Sequence, residues 1–332
     1  MIESIYKTVT AFLVVSCFIV LNRLHAWKRE TEEMVKQVLH CNNQSGVHKA
    51  SYHNNHALFV EQSMRSFPLA IQRYLHKALF LIDDNDRGID YMMHTPLAMA
   101  KSLVLEQEGT ILVNGQWLPF KAIQNISTSL AAPGFVWDCA STMQPPLPIL
   151  KNINLSVYAR DAYIDGQGKL DASVLGIVPM AHMKGNSDIN SAALMRWLAE
   201  IVLYPTACLP HSGMKIHWVK GSHRMEGPWS QHHGAFTRAR LVDDPYGETE
   251  TETEVEFCFD EAGLVSVVRG HRAQNEGGRI VMSPWEAHVS HYEVKDGMFV
   301  PTEVEAGYWN DGKLQYYFKA KNTSFHYTFF ES

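Results

Sequence analysis

The hydrophobic pattern changes period near residue 100. Before it, apolar residues recur at helical spacing; after it, they alternate. Met34, Val35, Val38 and Leu39 mark a helix over 28–41, and a second is expected from His56 to Met64. A third follows Phe67, with Leu69, Ile71, Leu75, Ala78 and Leu79 on its apolar face and Pro68 suited to a first turn. From residue 102 the chain reads as strands. Asn114-Gly115 between two strand-like runs, 102–113 and 116–127, predicts a hairpin. Further strands are expected over 134–142, 155–164, 170–178, 215–219, 235–242, 249–259, 264–271, 287–294, 298–306 and 314–329.

One helical stretch interrupts this β pattern. Between Ser191 and Leu203, the residues Leu194, Trp197, Leu198, Ile201 and Val202 fall on one face, and Met195, Ala199 and Leu203 extend it. Arg196 and Glu200, four apart, form one narrow charged stripe. Asn190 or Ser191 can cap the start, and Pro205 ends the helix near Tyr204. A helix this apolar belongs in a core.

Together these patterns predict a mostly β (α+β) fold. It is a strongly curved antiparallel sheet, an unclosed barrel, with the helix at 191–204 buried on its concave side and helices before it. Thr249 to Asp260 fixes one register. Thr, Val and Phe alternate with Glu250, Glu252, Glu254 and Glu256, so the first set points inward and the glutamates form a solvated outer face. The glutamate ladder and the loop Gly221–Gly234 are also candidate partner surfaces.

Val9 to Leu21 is apolar but for Thr10 and Ser16, with Lys7 before it and Arg23, Lys28 and Arg29 after. The run is short of the ~20 residues that span a bilayer, and extending it through Leu24 and Trp27 brings it near that length. No cleavage site follows, so a single-pass N-terminal membrane anchor is expected; Val14-Val15-Ser16-Cys17 leaves a lipoprotein signal as the alternative. The expected organisation is an anchor over 1–27, a helical stalk and polar linker over 28–64, and a β-domain over 65–332.

Composition narrows the chemistry. A net charge of −6 argues against a broad nucleic-acid-binding surface. Cys17, Cys41, Cys139, Cys208 and Cys258 are scattered without a CxxC, against a disulfide framework or zinc site. The pairs His53/His56 and His288/His291 lack the carboxylate of an HExxH motif, and His232-His233 sits in a loop. No metal and no cofactor is expected. Asp83 to Asp86 lacks the terminal glutamate of a calcium loop and reads as an exposed acidic turn. Nucleophile and phosphate-loop motifs are absent from the sequence.

What remains is a charged set inside aromatic sequence: Trp137-Asp138, Arg160-Asp161, and Arg196 with Trp197 and Glu200. Charges are rarely buried unpaired. They form either ion pairs latching the helix to the sheet, or the polar end of a pocket. Asp138 or Asp161 is the expected partner of Arg196, and Arg160 that of Glu200.

Several blocks resemble an uncharacterised bacterial family: RYL (73–75), NGQWLPFKAIQ (114–124), PGFVWDC (133–139), RDAYIDGQGKL (160–170), RWLAEIVLYPTACLP (196–210), FDEAGLV (259–265) and VPTEVEAGYW (300–309). The family is identified as the domain of unknown function numbered six-five-four-four. Cys208 stands where that family suggests Leu, and Cys139 where it suggests Ala. The resemblance implies an anchored protein, and its tail pattern is similar to the open curled sheets of lipoprotein carriers that hold acyl chains. A membrane-anchored protein binding a lipid or other apolar ligand inside the sheet is the leading expectation. The alternatives are an enzyme using Asp138, Asp161 and Glu200 with Arg160 or Arg196, and an interaction module at the membrane.

Overall fold

A computed structural model describes residues 2–44, 64–79, 99–129, 132–144, 154–209, 216–219, 224–229, 234–244 and 250–330. The helix expected over 56–64, most of the polar linker, Asp83–Asp86, His53/His56, His232-His233 and much of the Gly221–Gly234 loop lie outside them.

The antiparallel pattern is realised as one 13-stranded sheet. Its strands are β1 (Ala100–Val113), β2 (Gln116–Ser127), β3 (Gly134–Met143), β4 (Leu155–Ile164), β5 (Gln167–Val174), β6 (Val178–Lys184), β7 (Ile216–Val219), β8 (Phe236–Asp243), β9 (Thr251–Phe259), β10 (Val265–Glu276), β11 (Arg279–Lys295), β12 (Met298–Asn310) and β13 (Lys313–Phe329). The order is β6-β5-β4-β3-β2-β1-β13-β12-β11-β10-β9-β8-β7. Only the β1–β13 pairing joins strands distant in sequence. Every other neighbouring pair is consecutive along the chain, and two-residue turns join β1–β2, β4–β5, β10–β11, β11–β12 and β12–β13. Asn114-Gly115, Asp165-Gly166, Asp296-Gly297 and Asp311-Gly312 supply turn residues at positive φ. The sheet is a half-barrel whose edge strands, among the described residues, are β6 and β7. β6 was not expected; it is set off from β5 by Leu175 and Gly176, both at positive φ.

Among the described residues three α-helices accompany the sheet: α1 (Ile2–Gln44), α2 (Leu69–Leu79) and α3 (Ser187–Ala199). α3 starts earlier than its apolar run suggests, because the Asn186 side chain accepts from Ile189 N at 2.7 Å and caps it. Asn190 instead accepts from Gly168 N at 2.8 Å, tying the helix start to β5. Past Ala199 the coil tightens into 3-10 turns over Glu200–Leu203 and Pro205–Cys208.

α3 touches β3, β4 and β5 on one flank and β9 and β10 on the other. Those flanks are separated by β2, β1, β13, β12 and β11, so the sheet curls around the helix and α3 lies on the concave side. Trp197, Leu194 and Leu198 are fully buried there, with Tyr204, Phe135, Tyr163 and Phe257 beside them. α2 closes the same core through Ile71, Tyr74 and Leu75. At roughly 1.5–3 kcal/mol per large apolar side chain removed from water, this packing is the main force holding the sheet in its curve. Among the described residues the concave side carries this packed cluster.

Two N-terminal expectations are revised. One continuous helix runs from Ile2 to Gln44, through the junction expected at 27/28. Among the described residues no helix is long and apolar enough to cross a membrane, so the single-pass span is not supported. The apolar run is short, and Asn22, Arg23 and His25 follow it at once. The later part of α1 is no free stalk: Val38 packs with Val136 and Ala162 on the convex face of the sheet.

The glutamate ladder divides. Thr251, Thr253, Val255, Phe257 and Phe259 are buried, as the alternation requires. On the opposite face Glu252 and Glu254 pair with Arg240 and Arg238. Glu256, in contrast, is wholly buried, held by Arg269, by Arg224 at 3.4 Å and by Met225 N at 2.9 Å. Residues 224–229 cover that end of the face, with Trp229 over the Arg269 guanidinium at 5.1 Å.

Candidate functional site

Strand alternation sorts the charged set between two faces. Cross-strand registers place Gln124, Trp137 and Asp161 in one row and Ile123, Asp138, Arg160 and Asp171 in the next. The first row faces α3 and the second faces away.

On the concave side Arg196 is the centre. Its Nη1 donates to Asp161 Oδ2 at 2.8 Å, its Nε to Glu200 Oε1 at 2.9 Å and its Nη2 to Gln124 Oε1 at 3.1 Å. Gln124 Nε2 donates in turn to Glu200 Oε2 at 2.6 Å. The guanidinium lies over Phe135 and Trp137, at 4.8 and 5.3 Å. Burial opposes its charge, but Glu200 and Asp161 outweigh that and raise its pKa. Of the two partners expected for Arg196, Asp161 is in contact and Asp138 is not; Glu200 meets Gln124 and Arg196 rather than Arg160. Arg272 reaches the same region, donating to Ala192 O at 3.3 Å and to the Tyr317 hydroxyl at 2.9 Å. Trp137 Nε1 donates to Gln107 at 2.8 Å, and Trp197 Nε1 to Ser127 O at 2.8 Å. The geometry is that of a latch between helix and sheet.

Asp138 and Arg160 sit on the convex side against α1. Trp27 Nε1 donates to Asp138 Oδ1 at 2.9 Å. Arg160 Nη2 donates to Trp27 O at 2.9 Å, its guanidinium lies 4.2 Å from the Trp27 ring, and Glu30 stands 3.6 Å away. Burial pushes the Asp138 carboxyl above its ordinary range, against the Trp27 hydrogen bond and the Arg160 charge.

Beside this contact, still on the convex side, runs a groove of about 1040 Å³. One cross-strand row forms much of its floor: Ser290, Glu303, Lys321, Glu108, Lys121, Ala140 and Tyr158, one residue from each of β11, β12, β13, β1, β2, β3 and β4. Acid and base alternate along its centre. A parallel row adds His288, Glu305 and Lys319, with Lys319 paired to Glu305 at 2.6 Å. His288 Nε2 lies 2.5 Å from the buried Glu286 carboxylate, whereas His291 pairs with Glu303. The groove abuts α1, since the Tyr158 and Trp27 rings are 6.3 Å apart.

None of the charged set singled out from the sequence lines this groove; His288, set aside there as a metal ligand, does. Its own residues are the polar half of ordinary alternating strands, which locally reads as a solvated face. Only the cross-strand registers reveal that the lysines and glutamates meet in a row. Asp138, Asp161 and Glu200, the proposed catalytic carboxylates, are each held by a donor and stand apart from it.

Comparison with other proteins adds family and little more. No curated protein has a sequence matching this chain. A crystal structure of an outer membrane lipoprotein-sorting protein domain from Vibrio parahaemolyticus is similar over 68% of this chain and 85% of its own, at 8% identity and a TM-score of 0.34. The sequence blocks pointed to a family of unknown function, and the family found carries a different number from the one expected. Residues 65–327, which contain every one of those blocks, match the family of unknown function DUF6920, and the chain belongs to it.

Proposed function

We propose that this protein is a membrane-attached binding protein that seats an amphiphilic, lipid-like ligand in its convex-side groove. The observation that carries the reading is the bare apolar segment of α1. Val14, Val15, Phe18, Ile19 and Leu21 are between 46% and 65% exposed on one continuous helix with the Trp27 that borders the groove. Water is a poor solvent for so many large apolar side chains side by side. A bilayer accommodates them by insertion of the helix end, which requires no complete crossing.

The groove then stands beside the attachment point. Lysines 121, 319 and 321 suit an anionic or zwitterionic head, with Tyr158, Pro119 and Ala140 offering apolar surface to the adjoining chain. The groove is preferred over the concave interior, where the sequence suggests an apolar ligand, because a ligand there has to displace α3.

Native mass spectrometry of the purified full chain, with solvent extraction and lipid analysis, tests the reading. A co-purifying lipid, or uptake of a fluorescent phospholipid or fatty-acid probe, is the expected result. Charge reversal at the groove (Lys121→Glu with Lys321→Glu) should weaken probe uptake by about tenfold, ~1.4 kcal/mol. A protein that purifies empty and takes up no probe overturns the proposal.

A further inference from the structure

β6, the edge strand among the described residues, carries with the turn before it a second exposed apolar cluster. Ile177, Val178 and Met180 are 41%, 57% and 36% exposed, at the tip of the β5–β6 hairpin. Pro179 between them is exposed too. Four consecutive apolar residues on a hairpin tip are costly in water, and on an edge strand they invite pairing with other chains. The chain also spends backbone strain to form this tip, holding Leu175 at φ 54° just before Gly176 at φ 70°.

The tip's position relates it to α1. A methyl group placed on Gly176 would stand 3.2 Å from Leu24 Cδ2 and 3.6 Å from Arg23 Cβ. The hairpin thus touches α1 one turn beyond Leu21, where the bare apolar segment ends. The turn that carries one exposed apolar cluster thus lies against α1 just past the other, with Arg23 at the contact, where it can reach the headgroups.

We infer that the β5–β6 tip, Ile177 to Met180, is a second membrane contact that inserts into the bilayer interface beside α1. This rests on the membrane attachment proposed above and adds to it a fixed orientation. A helix alone can swivel about its own axis; a helix with a rigid hairpin beside it holds the sheet at one angle to the bilayer. The convex-side groove, which shares α1 as its border, is then held at a constant height above the headgroups.

The test uses the full chain and vesicles of phosphatidylcholine and phosphatidylglycerol. Ile177→Trp places a fluorophore on the tip, and acyl chains brominated near the headgroup should quench the fluorescence it adds over the parent protein. Ile177→Asp with Val178→Asp should lower vesicle partitioning by about tenfold or more, with an unchanged thermal melt because both side chains are exposed. Quenching together with lowered partitioning supports the inference. Unquenched added fluorescence on a protein that still floats with vesicles overturns it and leaves the α1 attachment standing. Failure of the parent protein to float overturns both. A double-aspartate variant that floats like the parent but breaks up a dimer seen without lipid assigns the tip to self-association and overturns the inference.

Discussion

Arg160 and Arg196 are both withdrawn from water by the same few strands, on opposite faces of them, and they are compensated very differently. Arg196 meets two carboxylates within 2.9 Å and an amide that bridges back to one of them. Arg160, only 1% exposed, meets a tryptophan ring, a backbone carbonyl, the Met34 sulfur and a glutamate at 3.6 Å, while its Nε finds no partner among the described residues. Buried charge is costly unless it is paired and hydrogen-bonded. The concave side therefore holds its helix with a closed network inside a packed core, and the convex side holds α1 with a looser set. The first arrangement suits architecture. The second suits an element that takes its remaining cover from elsewhere.

The largest expected effect breaks the concave network. Arg196→Ala strands Asp161 and Glu200 in a largely dry site and should cost about 3–5 kcal/mol in chemical denaturation. If the loss is under about 1 kcal/mol, those carboxylates reach water freely and the latch is no latch. Next is Gly168→Ala, which tests how closely α3 must approach β5. The added methyl would lie 2.5 Å from Ile189 O. A loss of roughly 1–3 kcal/mol is expected, with faster hydrogen exchange at the start of α3.

Arg160→Met sharpens the other side of the comparison. It removes a charge with poor compensation but leaves Asp138 its Trp27 bond, so a smaller loss of about 1–2 kcal/mol is expected. Hydrogen exchange should speed up in α1 around residues 27–38 and stay unchanged in α3. Equal acceleration of both helices would show that the two faces do not behave independently.

The smallest effect is pH dependence along the convex row Asp138–Arg160–Asp171. Asp138 has a raised pKa, so the folded protein holds its proton more tightly than the unfolded chain. Stability from this group falls as pH rises from the ordinary carboxylate range through the raised value. Asp171 is the reverse. Burial raises its pKa, but hydrogen bonds from Lys169 and His182 outweigh burial and lower it. Its contribution is present above the ordinary carboxylate range and is lost as pH falls through the lowered value. Relative to the parent, Asp138→Asn should gain stability as pH rises through the mildly acid range, and Asp171→Asn should fall behind. Denaturation midpoints against pH check both slopes, and two slopes of the same sign would refute the assignment.

Much of the architecture could be read locally. Hairpin turns at Asn114-Gly115 and Asp311-Gly312, most period-two strands and the apolar run Leu194–Leu203 each depend on near neighbours and stand as expected, except that the strand expected over 170–178 breaks at Leu175–Ile177 and the helix passes into a 3-10 turn at Glu200. The pairing of Arg196 with Asp161 was also within reach, since both had to find partners in a core with few charges. Asp138 was assigned to the wrong side of the sheet because adjacent residues share a sequence context but not a face. Glu256 looked like its neighbours in the acidic ladder, yet a segment from elsewhere in the chain covers it. The groove had no local signature, because its lysines and glutamates come from different strands.

By itself, then, the sequence determined most element types, the inward Thr, Val and Phe set of β9 and the helix that the sheet must wrap, because turn chemistry and hydrophobic period act over a few residues. Tertiary structure alone decided which charges meet, which face α1 covers and where the groove lies. Those depend on cross-strand register and on the closure of β1 against β13, which joins Gly109 to Ala320 and sets lysines and glutamates from opposite ends of the domain side by side.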